Sequence, residues 1–504
     1  MAELLTMTGW TPYPQSLTEV GGVALALLRR NDTGEKRLAL HGPANTPLLQ
    51  NFQGEVSELA GRALLLAPLH PENAASLRAA LPWLIARPLG LRTSAGCGDR
   101  LGLATPGHVR ALHKAHGVAG ILAQQSIREN ARTGRTPQEV MDDAMWGVFQ
   151  EGWTAGFGAD ADHLKTTADA DSTAAAGYTF FTVDPGDHVD NAAHTDAPPT
   201  LSAKFDALPW RELDSAPADQ RARYLGRSYD LEDRRLSFDE ESLLRAAGKY
   251  ARAILHAARM HRHLSAILDR SWELEVSVDE TATPTSHLEH LYIASELERL
   301  GVRWVSLAPR YVGRFEKGVD YMGDPGQSHD EALAALTADL AGHAAIARSL
   351  GPYKLSLHSG SDKFSVYPIA VEATRGVVHL KTAGTSYLEA LRAIARVHPT
   401  LFRTLYELAF DRYEIDRASY HVSAQPARAP QLASLRDDAL PTVLDHFDGR
   451  EMLHVTFGSA LARYGGDIKT TLRAHEEAHY SAIQAHFDRH LAPFAGLSQV
   501  FGTG

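Results

Sequence analysis

A chain of 504 residues is longer than one compact core requires, so one large domain with additions, or about three domains, is expected. Hydrophobic residues at 44% and charged residues at 22% exclude a disordered chain, and a net charge of -11 excludes the basic footprint of a nucleic-acid binder. The single cysteine, Cys97, excludes an internal disulfide and a cysteine-based zinc cluster, and reads as a buried thiol in a reducing compartment.

The first residues, MAELLTMTGWTPYPQ, lack the basic start and long apolar stretch of a signal peptide. The early apolar run Gly22 to Leu28 is far shorter than the ~20 residues that span a bilayer. A cytoplasmic protein with no membrane or nucleic-acid partner is expected, and homo-oligomerisation is left open. Residues 1–88 carry short apolar runs (GGVALALL from Gly21, RLALHG from Arg37, ALLLAPL from Ala63) separated by polar turns, which reads as a strand-rich or mixed cap.

From 89 to 390 the pattern changes to strand-like runs alternating with helical segments. Eight runs begin at Thr93, Val118, Phe157, Tyr178, Trp272, Arg303, Tyr353 and Val377. Alternation of this kind argues for parallel β/α units, and eight of them for a closed (β/α)8 TIM-type barrel in the α/β class. An open doubly wound sheet is the alternative; the absence of GxGxxG after the first strand weighs against its nucleotide-binding form. Thr136, Pro137 and Glu139 predict a capped helix start, with Val140, Ala144 and Val148 on one face. Helices over 169–176, 286–300 and 330–350 are each expected to close at a glycine, Gly177, Gly301 and Gly351. Residues 185–237, rich in Asp, Pro and Ala, read as an insertion after the fourth strand, a lid or a plain surface excursion. Residues 391–504 read as helical, with a helix expected from Ser386 capped by Glu389.

Active residues of such a barrel sit at the C-terminal ends of its strands. Alternation places Lys354, Ser356 and His358 inward on the seventh run, His379 and Lys381 on the eighth, and Glu275, Ser277 and Asp279 on the fifth. Burying such groups costs free energy unless they pair or bind something. The bland reading is an internal salt-bridge network. The third run adds Asp160, Asp162, His163 and Lys165. His163, His358 and His379 could converge as neutral imidazole ligands with oxygen donors completing the shell, a site suited to Zn, Mn, Co, Ni or Fe; taken singly, each is an ordinary core histidine. Lys165, Lys381, Arg314 and Lys363 lie near these ends and would complement a substrate carboxylate, although Lys363 and Arg314 read equally as loop charges. GCGDR at Gly96 to Arg100 could make a tight turn with Arg100 in the mouth.

Several of these stretches resemble the tagaturonate epimerase family: AGCGDRLGLATPGH from Ala95, GADADHLK from Gly158, FFTVDPGDHVD from Phe180, GRFEKGVDYMGD from Gly313, KLSLHSGSDKF from Lys354 and HLKTAGTSYLEALR from His379. The resemblance implies a divalent-metal-dependent epimerase interconverting tagaturonate and fructuronate, with side activity on tagatose and fructose. These uronates differ at ketose carbon 4, two bonds from the ketone. Inversion there proceeds by retro-aldol cleavage and re-addition with a metal as Lewis acid, or by proton removal and return on opposite faces. Both need an acid/base pair, for which Asp162 and Glu275 are the candidates, with Asp279 and Glu280 in reserve. A metal-dependent aldolase or aldose–ketose isomerase on a sugar acid is the alternative enzyme, and a non-catalytic sugar-acid binding protein the alternative of another class.

Overall fold

The computed structural model describes residues 9–382, 384–420 and 422–497. All eight strand-like runs form strands: β1 (Ser94–Gly96), β2 (Ala119–Ser126), β3 (Gly158–Leu164), β4 (Phe180–Val183), β5 (Glu273–Ser277), β6 (Ser306–Ala308), β7 (Lys354–Leu357) and β8 (Val378–Lys381). They pair in parallel in chain order, and β8 closes on β1 with His379 opposite Ser94 and Lys381 opposite Gly96. This is the (β/α)8 barrel rather than the open sheet. Outward residues such as Leu274, Val276, Leu355, Leu357, Val378 and Leu380 are buried under the surrounding helices.

Those helices start where short polar side chains can satisfy the first free amides. Ser126, Thr136, Thr166, Ser286 and Ser328 each accept from the amide three residues on, and the acid at that position reaches back. Such caps contribute about 1 kcal/mol each. Gly177 and Gly301 follow their helices in the left-handed region, at φ 89° and 72°. Gly351 does not; that helix ends as the Leu350 amide bonds to Ile346 O. The box expected at Ser386 and Glu389 does not form. The helix spans Thr385–Val397, Ser386 lies inside it against His108, and Glu389 pairs with Arg392 and Arg450. Gly96 lets the Gln124 side chain lie against the strand: a Cβ there would fall 1.9 Å from Gln124 Oε1, and that side chain would have to move.

The N-terminal region folds as an antiparallel sheet in which Trp10–Pro12, Val23–Arg30, Lys36–Gly42, Arg62–Ala67 and Glu55–Leu59 lie side by side. One face (Leu25, Leu27, Leu38, Leu40) joins the main core, and the other closes over Trp10, Ala26, Leu28, Ala39 and Leu64. Between 185 and 237 lie two 3-10 turns, two short α-helices and the hairpin Ser228–Leu231/Arg234–Ser237. Gln220 and Tyr224 bond to Glu296 of a barrel helix, so the segment is fastened to the outer layer. The C-terminal helices Pro399–Asp416, Phe447–Val455, Phe457–Ala474 and Glu476–Leu491 form a second core with Thr385–Val397 or pack back on the barrel. No helix among the described residues is long and apolar enough to cross a membrane.

Candidate metal centre and active site

The barrel interior is polar and arranged in layers. Deepest are Lys354, Ser94 and His379: Lys354 Nζ donates to Ser94 Oγ at 3.0 Å, and Ser94 Oγ lies 3.0 Å from His379 Nδ1. Above them, Lys381 Nζ meets Asp162 Oδ1 at 2.6 Å, Asp160 Oδ2 at 2.9 Å, Glu275 Oε1 at 3.0 Å and Thr182 Oγ1 at 2.6 Å. Glu275 also accepts from Ser306 Oγ at 2.6 Å. At the mouth stand Asp162, His163, Asp279 and His358.

A bulge builds the mouth. Phe181 of β4 faces Ala161 of β3, but Val183 faces Leu164, so β3 holds one residue more than its neighbour. Strict alternation would send Asp162 and His163 to opposite sides. The extra residue, with His163 at φ 54°, brings them together, His163 Nδ1 2.8 Å from Asp162 Oδ1. A non-glycine residue in that region costs about 1–3 kcal/mol and is held by its surroundings.

Each of two imidazoles is then fixed by one carboxylate and aimed at another. His163 gives Nδ1 to Asp162, and its Nε2 points toward Asp279 Oδ1 at 3.7 Å with no hydrogen-bond partner. His358 gives Nε2 to Glu275 Oε1 at 2.7 Å and turns Nδ1 toward Asp279 Oδ1 at 3.2 Å, with Ser277 Oγ also 3.3 Å from that nitrogen. Metal-binding histidines are characteristically oriented in this way, with the second nitrogen on a carboxylate. His163, Asp279 and His358 offer ligand atoms within 4.8 Å of one another, and so do His163, Asp184 and Glu280.

The charges agree. Three of the five carboxylates here, Asp160, Asp162 and Glu275, share Lys381, Glu280 pairs with Arg128, and Asp279 faces the two imidazoles. Burial lowers the His358 imidazole, but Asp279 and Glu275 outweigh it and raise it to about 9; Asp162 and Asp279 likewise hold His163 well above its ordinary range. The mouth therefore draws in positive charge, which two imidazolium protons or one divalent cation would supply. Burial raises Asp160 to about 6 despite Lys381.

Of the nine side chains singled out from sequence, Asp162, His163, Glu275, His358 and Lys381 come together here. His379 faces inward but lies a layer lower, against Phe180, and burial lowers it to about 3; it stands outside the grouped ligand atoms. Lys381 is 3% exposed and encircled by three carboxylates, so it neutralises the site rather than greeting a substrate carboxylate. Lys165 is exposed and pairs with Asp187. Lys363 is buried, its ammonium donating to the carbonyls of Glu316, Val319 and Ser361. Arg100 is buried on Glu129 and the Phe457 ring. Arg314 alone of the four expected substrate cations lines the cavity above the cluster, a space of about 480 Å3.

That cavity is walled by residues passed over in the sequence. Arg128, Arg310, Lys317 and Tyr420 reach it beside Asp279, Glu280 and His358. Lys317 lies four residues past Gly313 in the loop after β6, where strand-end loops carry function. Tyr420 comes from the C-terminal region, and no local signal ties it to the barrel.

Among the described residues, two other histidine–carboxylate groups lie away from the barrel mouth. In Asp362, His486 and His490, His490 accepts the Asp362 amide at 2.9 Å and donates to His486 O at 2.9 Å, and Asp362 pairs with Arg450. His287, Asp339 and His343 sit between helices outside the barrel.

The sequence model of the tagaturonate epimerase family matches residues 13–494. The chain is 42% identical over 488 residues to a tagaturonate/fructuronate epimerase of Thermotoga maritima, covering 96% of each. Its fold matches crystal structures of a fructuronate-tagaturonate epimerase from Cohnella laeviribosi, native and glycerol-complexed, at a TM-score of 0.90 and 35% identity over 98% of each chain. With a barrel, cap and C-terminal helices matched along nearly their whole length, the chain belongs to the tagaturonate epimerase family, an isomerase family.

Proposed function

We propose that this chain interconverts tagaturonate and fructuronate by inverting ketose carbon 4, with a divalent cation held by His163, His358 and Asp279. Family membership supports the reaction. The observation that carries the cation is the pair of imidazoles, each anchored on a buried carboxylate and turned toward Asp279. When bound, the cation supplies Lewis-acid polarisation of the sugar oxygens.

The remaining work falls to side chains. Asp162 and Glu275 orient the imidazoles and are tied to Lys381, so the proton-moving role passes to a carboxylate with access to the cavity. Glu280 lines it, paired with Arg128 at 3.2 Å. Burial would raise its carboxyl, but His163, Lys317 and Arg128 outweigh burial and Asp279 and keep it below the usual range. It is therefore ionised at neutral pH and placed to accept a proton at carbon 4, from the hydroxyl in the retro-aldol route or from carbon in the direct one. Turnover of tagatose and fructose is a side activity on this reading.

The test is metal analysis of the purified protein with a tagaturonate assay, before and after chelation. The expected result is one divalent cation per chain, a carbon-4 epimer as product, loss of turnover with chelator and recovery on adding metal. Full activity in metal-free protein would remove the cation from the reaction; smaller fragments or an aldose as product would point to an aldolase or an aldose–ketose isomerase.

A further inference from the structure

Among the described residues, four lysine and arginine side chains line the cavity, and three are committed. Arg128 pairs with Glu280, Arg310 donates to the Thr281 carbonyl, and Arg314 donates to Gly323 O at 3.0 Å and lies 3.5 Å from Glu316. Lys317 has neither a hydrogen bond nor an ion pair among the described residues; its ammonium stands 6.0 Å from the centre of the Tyr420 ring. It lines the cavity beside Asp279, Glu280 and His358.

The backbone that presents Lys317 is held on both sides. Glu316 accepts from the Ser423 amide at 2.7 Å and from its hydroxyl at 2.9 Å. Gly318 O accepts from Arg450 at 2.6 Å. The buried ammonium of Lys363 bridges Glu316 O and Val319 O, the carbonyls that flank Lys317 and Gly318. A half-buried, uncommitted ammonium on a clamped loop offers an anion a charge-assisted partner, and only the side chain's own rotamers, not the backbone, remain to be ordered when one binds.

We infer that Lys317 is the carboxylate subsite of the cavity, the group that receives the acid end of a sugar acid and separates it from a neutral sugar of equal length. This rests on the sugar-acid reading above. It gives Lys363, a residue expected to touch substrate, a different place as the clamp behind that subsite.

The probes are a six-carbon aldonate and the alditol of the same configuration, used as competitive inhibitors of tagaturonate turnover by the metal-loaded enzyme. A charge-assisted hydrogen bond is worth about 1.5–3 kcal/mol, or roughly tenfold to a hundredfold. Lys317→Met should weaken the aldonate by at least about tenfold and move the alditol less than about twofold. It should raise the KM for tagaturonate more than it lowers kcat. Lys317→Arg should restore part of the aldonate affinity, and added salt should erode the wild-type preference. Equal weakening of both probes, or neither moving while the wild type still prefers the aldonate, would overturn the subsite. A wild type that neither turns over tagaturonate nor prefers the aldonate would instead overturn the sugar-acid reading, and the subsite with it.

Discussion

Two clusters in this molecule have nearly the same composition and different availability. At the barrel mouth, two histidines and several carboxylates gather at a cavity; His163 Nε2 has no hydrogen-bond partner, while His358 Nδ1 lies against both Ser277 Oγ and Asp279 Oδ1. Where the C-terminal helices dock, Asp362, Glu389, His486, His490 and Arg450 form an equally buried group, in which both nitrogens of His490 are bonded, Asp362 is locked to Arg450, and His486 Nε2 has no hydrogen-bond partner. What separates the candidate site from the structural joint is the cavity: each group holds one unpartnered imidazole nitrogen, on His163 and on His486, but only the mouth carboxylates Asp279 and Glu280, with His358, line open space.

The comparison breaks first on metal. Asp279→Asn or His358→Ala should abolish metal content and lower turnover by about a thousandfold, the loss expected when several kcal/mol of Lewis-acid stabilisation go. His490→Ala should keep the metal and cost about 1–3 kcal/mol of stability, because the Asp362 amide loses its acceptor. Metal retained at full occupancy in Asp279→Asn would end the ligand assignment, and metal lost in His490→Ala would merge the two clusters.

Next in size is Lys381→Met. Removing one partner of a buried ion pair costs about 3–5 kcal/mol, and here three carboxylates lose their cation. Denaturant midpoints should fall accordingly, and the folded remainder should lose acidic and neutral substrates alike. Selective loss of the acidic one would return Lys381 to the role of carboxylate partner. Smaller again is Glu275→Gln. It leaves His358 in place but weakens its anchor, and outer-shell partners of this kind typically change metal affinity by about 10–100-fold. Titration of the metal-free protein measures it; unchanged affinity would show that Glu275 does not orient the ligand.

Much of this architecture was legible in the chain. Eight strand-like runs with capped helices between them became the barrel, because alternation and capping are local. The inward direction of Glu275, Lys354 and His358 was legible for the same reason. What each inward group is committed to was not. Lys381 looked like a substrate cation until Asp160, Asp162 and Glu275 from two other strands closed around it. His379 has the inward register of Lys381, but its depth in the barrel depends on strand stagger, which no single run encodes. His163 reaches the mouth through a bulge that strict alternation would place wrongly. The Ser386–Glu389 pair mimicked a capping box inside a helix that begins at Thr385.

The smallest effect concerns acid. Burial, reinforced by His486, lowers His490 to about 3, even though Asp362 beside it pulls the other way. The folded state therefore binds fewer protons than the unfolded state between about pH 6.5 and 3, so stability falls as pH drops through that window. Each imidazole kept neutral in this way removes about 1.4 kcal/mol per pH unit below 6.5. His108 and His479, lowered to about 3 and about 4 mainly by burial, add to the same slope. His490→Gln lacks the titrating ring, so its loss of stability from pH 6.5 to 5.5, read by denaturant unfolding, should be shallower than that of the wild type by about one proton. Parallel slopes would mean that the docking joint does not hold His490 neutral, and the contrast with the mouth would then rest on geometry alone.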